Sequence, residues 1–91
     1  MDTTTLPPKS ADLEAALYAA LTPTALEVID ESAAHAGHAG ANAAGYGSHF
    51  RIRIASPLFD GKSRVAQHRL VYDALRVFIA GGLHAIAIET N

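Results

Sequence analysis

Along residues 10–21, SADLEAALYAAL, apolar side chains recur at Leu13, Ala16, Leu17, Ala20 and Leu21. That i, i+3, i+4, i+7, i+8 spacing predicts an amphipathic helix with one apolar stripe. Ser10 is the expected N-cap, and Asp12 falls in the first turn, where a helix N-terminus favours negative charge. Pro23 cannot continue the helix and biases Thr22 away from helical geometry, so the stop belongs near Leu21. The short run Ala25 to Glu31, ALEVIDE, has the β-branched centre of a strand. In HFRIRIA the alternation is cleaner: Phe50, Ile52 and Ile54 share one face, and His49, Arg51 and Arg53 share the other, wet one. SPLFDG reads as a turn punctuated by Pro57 and Gly61. A second helix is predicted over Ser63 to Ala80, its apolar stripe formed by Ala66, Leu70, Val71, Ala74, Leu75, Phe78 and Ile79. Arg69, Asp73 and Arg76 lie opposite, with Arg69 and Asp73 spaced for an i, i+4 ion pair. Gly81 and Gly82 end it, and LHAIAIE, Leu83 to Glu89, is a third strand, apolar on both parities apart from His84.

The order helix, strand, strand, helix, strand restricts the fold. Two strands joined directly pair antiparallel, whereas a strand–helix–strand passage favours a parallel pair through a right-handed crossover. The expectation is a single α+β domain: a three-stranded mixed sheet with both long helices on one face, so that every apolar stripe is covered. Arg51 and Arg53 would then lie on the opposite face. Residues 1–8 read as a loose tail and residues 9–91 as the folded domain.

Composition narrows the chemistry. Ninety-one residues make one core, and 49% hydrophobic with 18% charged residues is a globular balance, although alanine supplies much of the apolar share. Without cysteine there is no disulfide, no thiolate catalysis and no metal cluster held by this chain's own sulfur. The start, MDTTTLPPKS, lacks a basic n-region and an apolar h-segment, and no run approaches the ~18 apolar residues of a membrane span, which points to the cytoplasm. A net charge of -2 argues mildly against a protein devoted to gripping phosphate backbones. The stretch HAGHAGANAAGYGSHF, between the first two strands, is too glycine-rich for regular structure yet carries His35, His38 and His49, three of the five histidines. Connections of that length in compact domains are either functional or disordered.

The series LEVIDES, SHFRIRI, FDGKSRVAQHRLVYDAL and LHAIAI resembles the BolA family from about Leu13 to the end of the third strand. The resemblance is carried by Phe59 and Gly61, His68–Arg69, Val71–Tyr72, Leu75, and His84 opening an Ala/Ile strand, in that order and spacing. It implies a fold similar to the type II KH domain. It implies partnership with a monothiol glutaredoxin, a [2Fe–2S] cluster shared with that partner and with glutathione, and no cofactor in the isolated chain, which would be a monomer or weak homodimer. By the same resemblance His84 is the last-strand ligand and His35, following Glu31–Ser32, is the loop ligand. The loop is several residues longer than the family pattern, so His38 rivals His35. Gln67 stands where the family often has arginine, and the chain stops at Asn91 where members commonly continue into a short helix, through natural brevity or truncation.

Each histidine also has a plainer reading. His35 and His38 could be solvated loop imidazoles, and HAGH could hold zinc or nickel at low affinity, short of a structural site for want of a third ligand. His84 could be hydrogen-bonded at the sheet edge. His49, on the wet face near the loop's end, suits a structural or supporting role, and His68, beside the apolar stripe of the long helix, a packed and hydrogen-bonded one. Lys62, Arg64, Arg69 and Arg76 are a solvated helix face unless they meet a partner's acidic surface or DNA. The leading expectation is a non-enzymatic adaptor in cluster trafficking or iron and redox regulation. The alternative is a DNA-binding regulator of transcription or stress response using those four cations. FDGKSR holds only Gly61 where an RNA-clamping KH loop needs GXXG. An enzyme is the least favoured class: no nucleophile elbow, P-loop or dinucleotide fingerprint is present, and Ser48 and His49, adjacent on a strand, should face opposite ways.

Overall fold

In a computed structural model of the chain, residues 8–32, 48–83 and 85–90 are described. The expected N-terminal tail lies, but for Pro8, outside them. Helix α1 spans Ser10–Leu21 and buries Leu13, Leu17 and Leu21. Its cap differs from expectation: Lys9 occupies the N-cap, Ser10 is already helical, and the Asp12 carboxylate reaches back to accept the Lys9 N–H at 2.8 Å. The Asp12 and Leu13 N–H groups, which a Ser10 cap would have served, go instead to the Lys9 carbonyl at 2.9 and 3.4 Å, so the helix begins one residue earlier than a serine cap implies. At the other end Thr22 turns left-handed, with φ 43°, just before Pro23.

Strand β1, Ala25–Asp30, pairs antiparallel with β2, His49–Ala55. Glu31, expected as the last residue of β1, lies one position beyond it, yet its N–H still bonds the His49 carbonyl at 2.8 Å. A single 3-10 turn, Pro57–Phe59, follows β2, and Ser56 fastens it by accepting from the Leu58 N–H at 3.1 Å while donating to the Leu21 carbonyl at 2.6 Å.

The long second helix is divided. Helix α2 runs over Arg64–Ala74, N-capped by the Ser63 hydroxyl, and α3 over Arg76–Ala80. Between them Leu75 takes φ -103° and ψ 9°, and its N–H is shared between the Val71 and Tyr72 carbonyls, a local tightening of the turn. Leu75 stays fully buried through the break and Phe78 packs against the core, whereas Ile79, expected in the apolar stripe, is left at the surface. After α3 the chain reverses at Gly82, whose φ of 113° is accessible only to glycine at little cost. Leu83, expected as the first residue of the third strand, instead plugs the core ahead of it, and β3 occupies Ala85–Thr90.

β3 lies parallel to β2, and the strand order β1-β2-β3 puts β2 at the centre of the mixed sheet. Phe50, Ile52 and Ile54 of β2 face the helices together with Leu26 and Val28 of β1 and Ile86 and Ile88 of β3. Against them pack Leu13, Leu17 and Leu21 of α1 and Val71 and Leu75 of the second helical region. Each fully buried side chain of this size is worth about 1.5–3 kcal/mol of hydrophobic transfer. The expected fold class and sheet topology are therefore the observed ones.

Candidate functional site

At one end of the sheet the two chain segments flanking residues 33–47 are tied together by a buried polar knot. The Ser32 hydroxyl oxygen accepts the Ser48 N–H at 2.9 Å and the His49 N–H at 3.1 Å. Asp30 holds Ser32 in turn, its carboxylate accepting the Ser32 N–H at 2.9 Å. β3 joins from the other side, because the Ser48 carbonyl accepts the Ala85 N–H at 3.1 Å. Residues 32, 48 and 85 thus meet at one edge of the fold. Three backbone segments are brought there by hydrogen bonds that leave no buried side-chain polar atom among the described residues unsatisfied.

His35, His38 and His84 themselves lie outside the described residues. Their attachment points do not: His84 is bonded directly to Ala85, and His35 follows Ser32 by three residues, a chain reach of about 11 Å at most. His38 follows within six.

His49 corrects the sequence reading. It was expected on a wet face, but it is 7% exposed, and its Nδ1 lies 2.8 Å from the Ser48 hydroxyl. Strand parity sets which side a residue projects to, not what covers that side, and this first strand residue sits inside the knot. Ser48 and His49 were also expected to face opposite ways. Ser48 precedes the strand, so alternation does not govern it, and the two side chains bond to each other. Both are buried, which withholds the hydroxyl from solvent. Among the described residues no group of three His, Asp or Glu side chains could hold a metal.

His68 departs from expectation as well. It is half-buried on α2 but its side chain makes no hydrogen bond among the described residues; it lines a groove with Arg64 and with Ile88, Glu89 and Thr90 of β3. Lys62, Arg64, Arg69 and Arg76 are exposed, as expected, and none is ion-paired within the described residues. The anticipated Arg69–Asp73 pair does not form, which matches the small gain available to two long solvated side chains.

The open face of the sheet tells a different story about its cations. Arg53 bonds Glu27 across one strand boundary at 2.9 Å and Glu89 across the other at 3.2 Å. Arg51 bonds Glu89 at 2.9 Å and, diagonally, Glu31 at 3.0 Å. Glu31, chiefly through its hydrogen bond, raises the Arg51 pKa, and Glu27 does the same for Arg53. The two arginines, Arg51 first, hold the Glu89 carboxyl below its ordinary value. Arg51 and Arg53 are thereby occupied. The sequence reading placed both on this face but missed the three glutamates, whose pairing needs the strand register. It also missed Gln67, whose side-chain amide donates to the Phe59 and Lys62 carbonyls and accepts from the Thr90 hydroxyl at 2.6 Å, bracing the turn, α2 and β3 together.

A family model described as BolA-like protein matches residues 17–91. The chain belongs to the BolA-like protein family. This BolA-like protein is 42% identical to mouse BolA-like protein 1 over 84 residues, covering 92% of the chain and 58% of the mouse protein. It is 46% identical over 71 residues to Arabidopsis thaliana SufE-like protein 1, chloroplastic/mitochondrial, covering 75% of the chain and 19% of that much longer protein. Among solved structures, the BolA domain of SufE1 from Arabidopsis superposes with a TM-score of 0.80 at 39% identity, over 96% of this chain and 94% of that one. The solution structure of mouse BolA1 gives 0.70 at 38% identity, over 99% and 71%. No helix among the described residues is long and apolar enough to cross a membrane.

Proposed function

We propose that this BolA-like protein is a non-enzymatic cytoplasmic adaptor that binds a monothiol glutaredoxin and co-ligates a glutathione-containing [2Fe–2S] cluster, with His84 as one ligand and His35 or His38 as the other. The observation that carries the reading is the knot at the sheet end. It fastens the attachment points of the histidine-bearing segment and of His84 to each other through Ser32, Ser48 and Ala85. The donor chemistry agrees: the chain has no thiol to offer, so its share is neutral imidazole, and sulfur must come from the partner. Histidine in place of thiolate on an iron raises the potential of a [2Fe–2S] centre and makes it pH-dependent. The protein's own part is to hold the attachment points of the two ligand-bearing segments near each other, with Ser48 and His49 buried in the knot that joins them. A BolA domain inside a protein named SufE-like is in keeping with an iron–sulfur role.

Mixing the chain with a monothiol glutaredoxin, glutathione, iron and sulfide tests this by visible absorption and circular dichroism. His84→Ala, and either His35→Ala or His38→Ala, should abolish the signature of the mixed complex; an unchanged spectrum in all three would overturn the assignment.

A DNA-binding role has one observation in its favour, the exposed and unpaired Lys62, Arg64, Arg69 and Arg76. Their spacing weakens it. Arg64 and Arg69 of α2 point about 140° apart around the helix, Arg76 opens the separate helix α3, and Lys62 precedes α2, so they form no single strip. Four phosphate contacts would give a salt slope of roughly -3.6 in log K, which a titration distinguishes from the flat response of an adaptor.

A further inference from the structure

Among the described residues β3 is paired on one side only, with β2. Its first residue, Ala85, donates its N–H to the Ser48 carbonyl. In a parallel ladder the residues bonded to a given neighbour alternate, so Ala85, Ala87 and Glu89 direct their main-chain groups to β2, while those of Ile86, Ile88 and Thr90 face outward. Among the described residues nothing bonds these outward main-chain groups.

Between α2 and the last residues of this edge strand lies a groove of about 310 Å³, lined by Arg64, His68, Ile88, Glu89 and Thr90. Ile88 and Thr90 share the parity that faces α2, so both can offer side chains to the groove, with Glu89 between them. The Glu89 carboxylate is in any case held on the open face by Arg51 and Arg53. From α2 come Arg64 and His68, at i and i+4 and hence neighbours, neither with an ion pair or hydrogen bond among the described residues. Gln67, bonded to Thr90, fixes the distance between the walls. The opposite edge strand is protected differently. β1 carries exposed Glu27 and Asp30, whereas Ala85–Ile88 of β3 bears no charge to deter pairing.

We propose that this groove binds an extended acidic segment of a partner protein, which adds as a fourth strand on β3 and sets a carboxylate between Arg64 and His68. The main-chain bonds supply affinity whatever the side chains, and the two uncommitted donors select a carboxylate over a neutral group. The groove sits at the Thr90 end of β3, about 17 Å along the strand from Ala85 and the polar knot, so it stands independently of any metal chemistry there.

The test uses the full chain, ¹⁵N-labelled, and an end-blocked peptide Thr-Val-Glu-Val-Thr-Val with its Glu→Gln counterpart. The glutamate peptide should give saturable shifts and slow amide exchange at Ile86, Ile88 and Thr90, leaving Ala87 and Glu89 unchanged. Arg64→Ala, at an exposed position, should weaken binding about fivefold without altering the thermal melt, and the Gln peptide should lose a similar factor. His68→Gln provides a second reading of the same pocket. Absence of alternating protection at millimolar glutamate peptide, or equal binding of both peptides, would overturn the proposal. Protection that grows with protein concentration alone would also overturn it, by assigning the edge to a second copy of the chain.

Discussion

The two faces of the sheet are made from alternate residues of the same three strands and are held by different forces. On the helix side, Phe50, Ile52 and Ile54 have at most 1% of their surface exposed, and their contribution scales with area removed from water. On the open side the sequence Glu27, Arg53, Glu89, Arg51, Glu31 is joined by four ion pairs, with each side chain involved at least 30% exposed. Solvent screens such pairs, and holding long side chains in place has an entropic cost. One face therefore decides whether the protein folds, and the other how its surface reads to a neighbour: a mosaic of paired charge in contrast to Arg64 and Arg69 of α2, which are unpaired among the described residues.

Substitutions can sharpen that contrast. Ile52→Ala empties the centre of the core and should cost about 2–5 kcal/mol, measured as a large fall in the urea midpoint with the m-value unchanged. If the core is instead slack enough to collapse around the gap, the loss will be well under that range. Ser32→Ala removes the one acceptor shared by the Ser48 and His49 amides, a cost of about 1–3 kcal/mol, with faster exchange of those two amides in particular. Gln67→Ala breaks the brace between the turn, α2 and β3 and should cost about 1 kcal/mol. Glu89→Gln should have the smallest effect. The folded chain holds the Glu89 carboxyl below its ordinary 4.5, so the stabilisation is present above that value and is lost as pH falls through the lower folded one. The wild-type chain should accordingly lose stability below about pH 4.5 more steeply than the variant, and high salt should shrink the difference. A variant as destabilised as Ile52→Ala would break the comparison between the faces.

Where the sequence was informative, a local rule sufficed. HFRIRIA announces both faces of β2 because its period is two and its apolar set unbroken, and the leucines of α1 repeat at helical spacing. What escaped depended on residues distant along the chain. The break at Leu75 has no proline or glycine to mark it; it arises where a fully buried leucine meets the turn toward Leu83. Ser10 looks like a cap until the Lys9 carbonyl is seen to take the Asp12 and Leu13 N–H groups, with the Asp12 carboxylate holding the Lys9 N–H in return. His49 is buried where Ser32 and Ser48 bond the strand's first residue, a setting that no parity argument contains. The partners of Arg51 and Arg53 required knowing that Glu27 and Glu89 flank Arg53 in register. For the candidate ligands, spacing alone left His35 and His38 as rivals, and family resemblance supplied the roles.

The Ser32 hydroxyl oxygen, by accepting two hydrogen bonds at once, shapes how this domain can diversify. It closes the hairpin at its base, so strand register is set before the intervening residues begin. Lengthening that stretch alters only a closure entropy that grows with the logarithm of its length, about 0.6 kcal/mol for each doubling. Composition and length beyond the clasp are therefore open to selection for what they deliver, while the sheet beneath is spared the change.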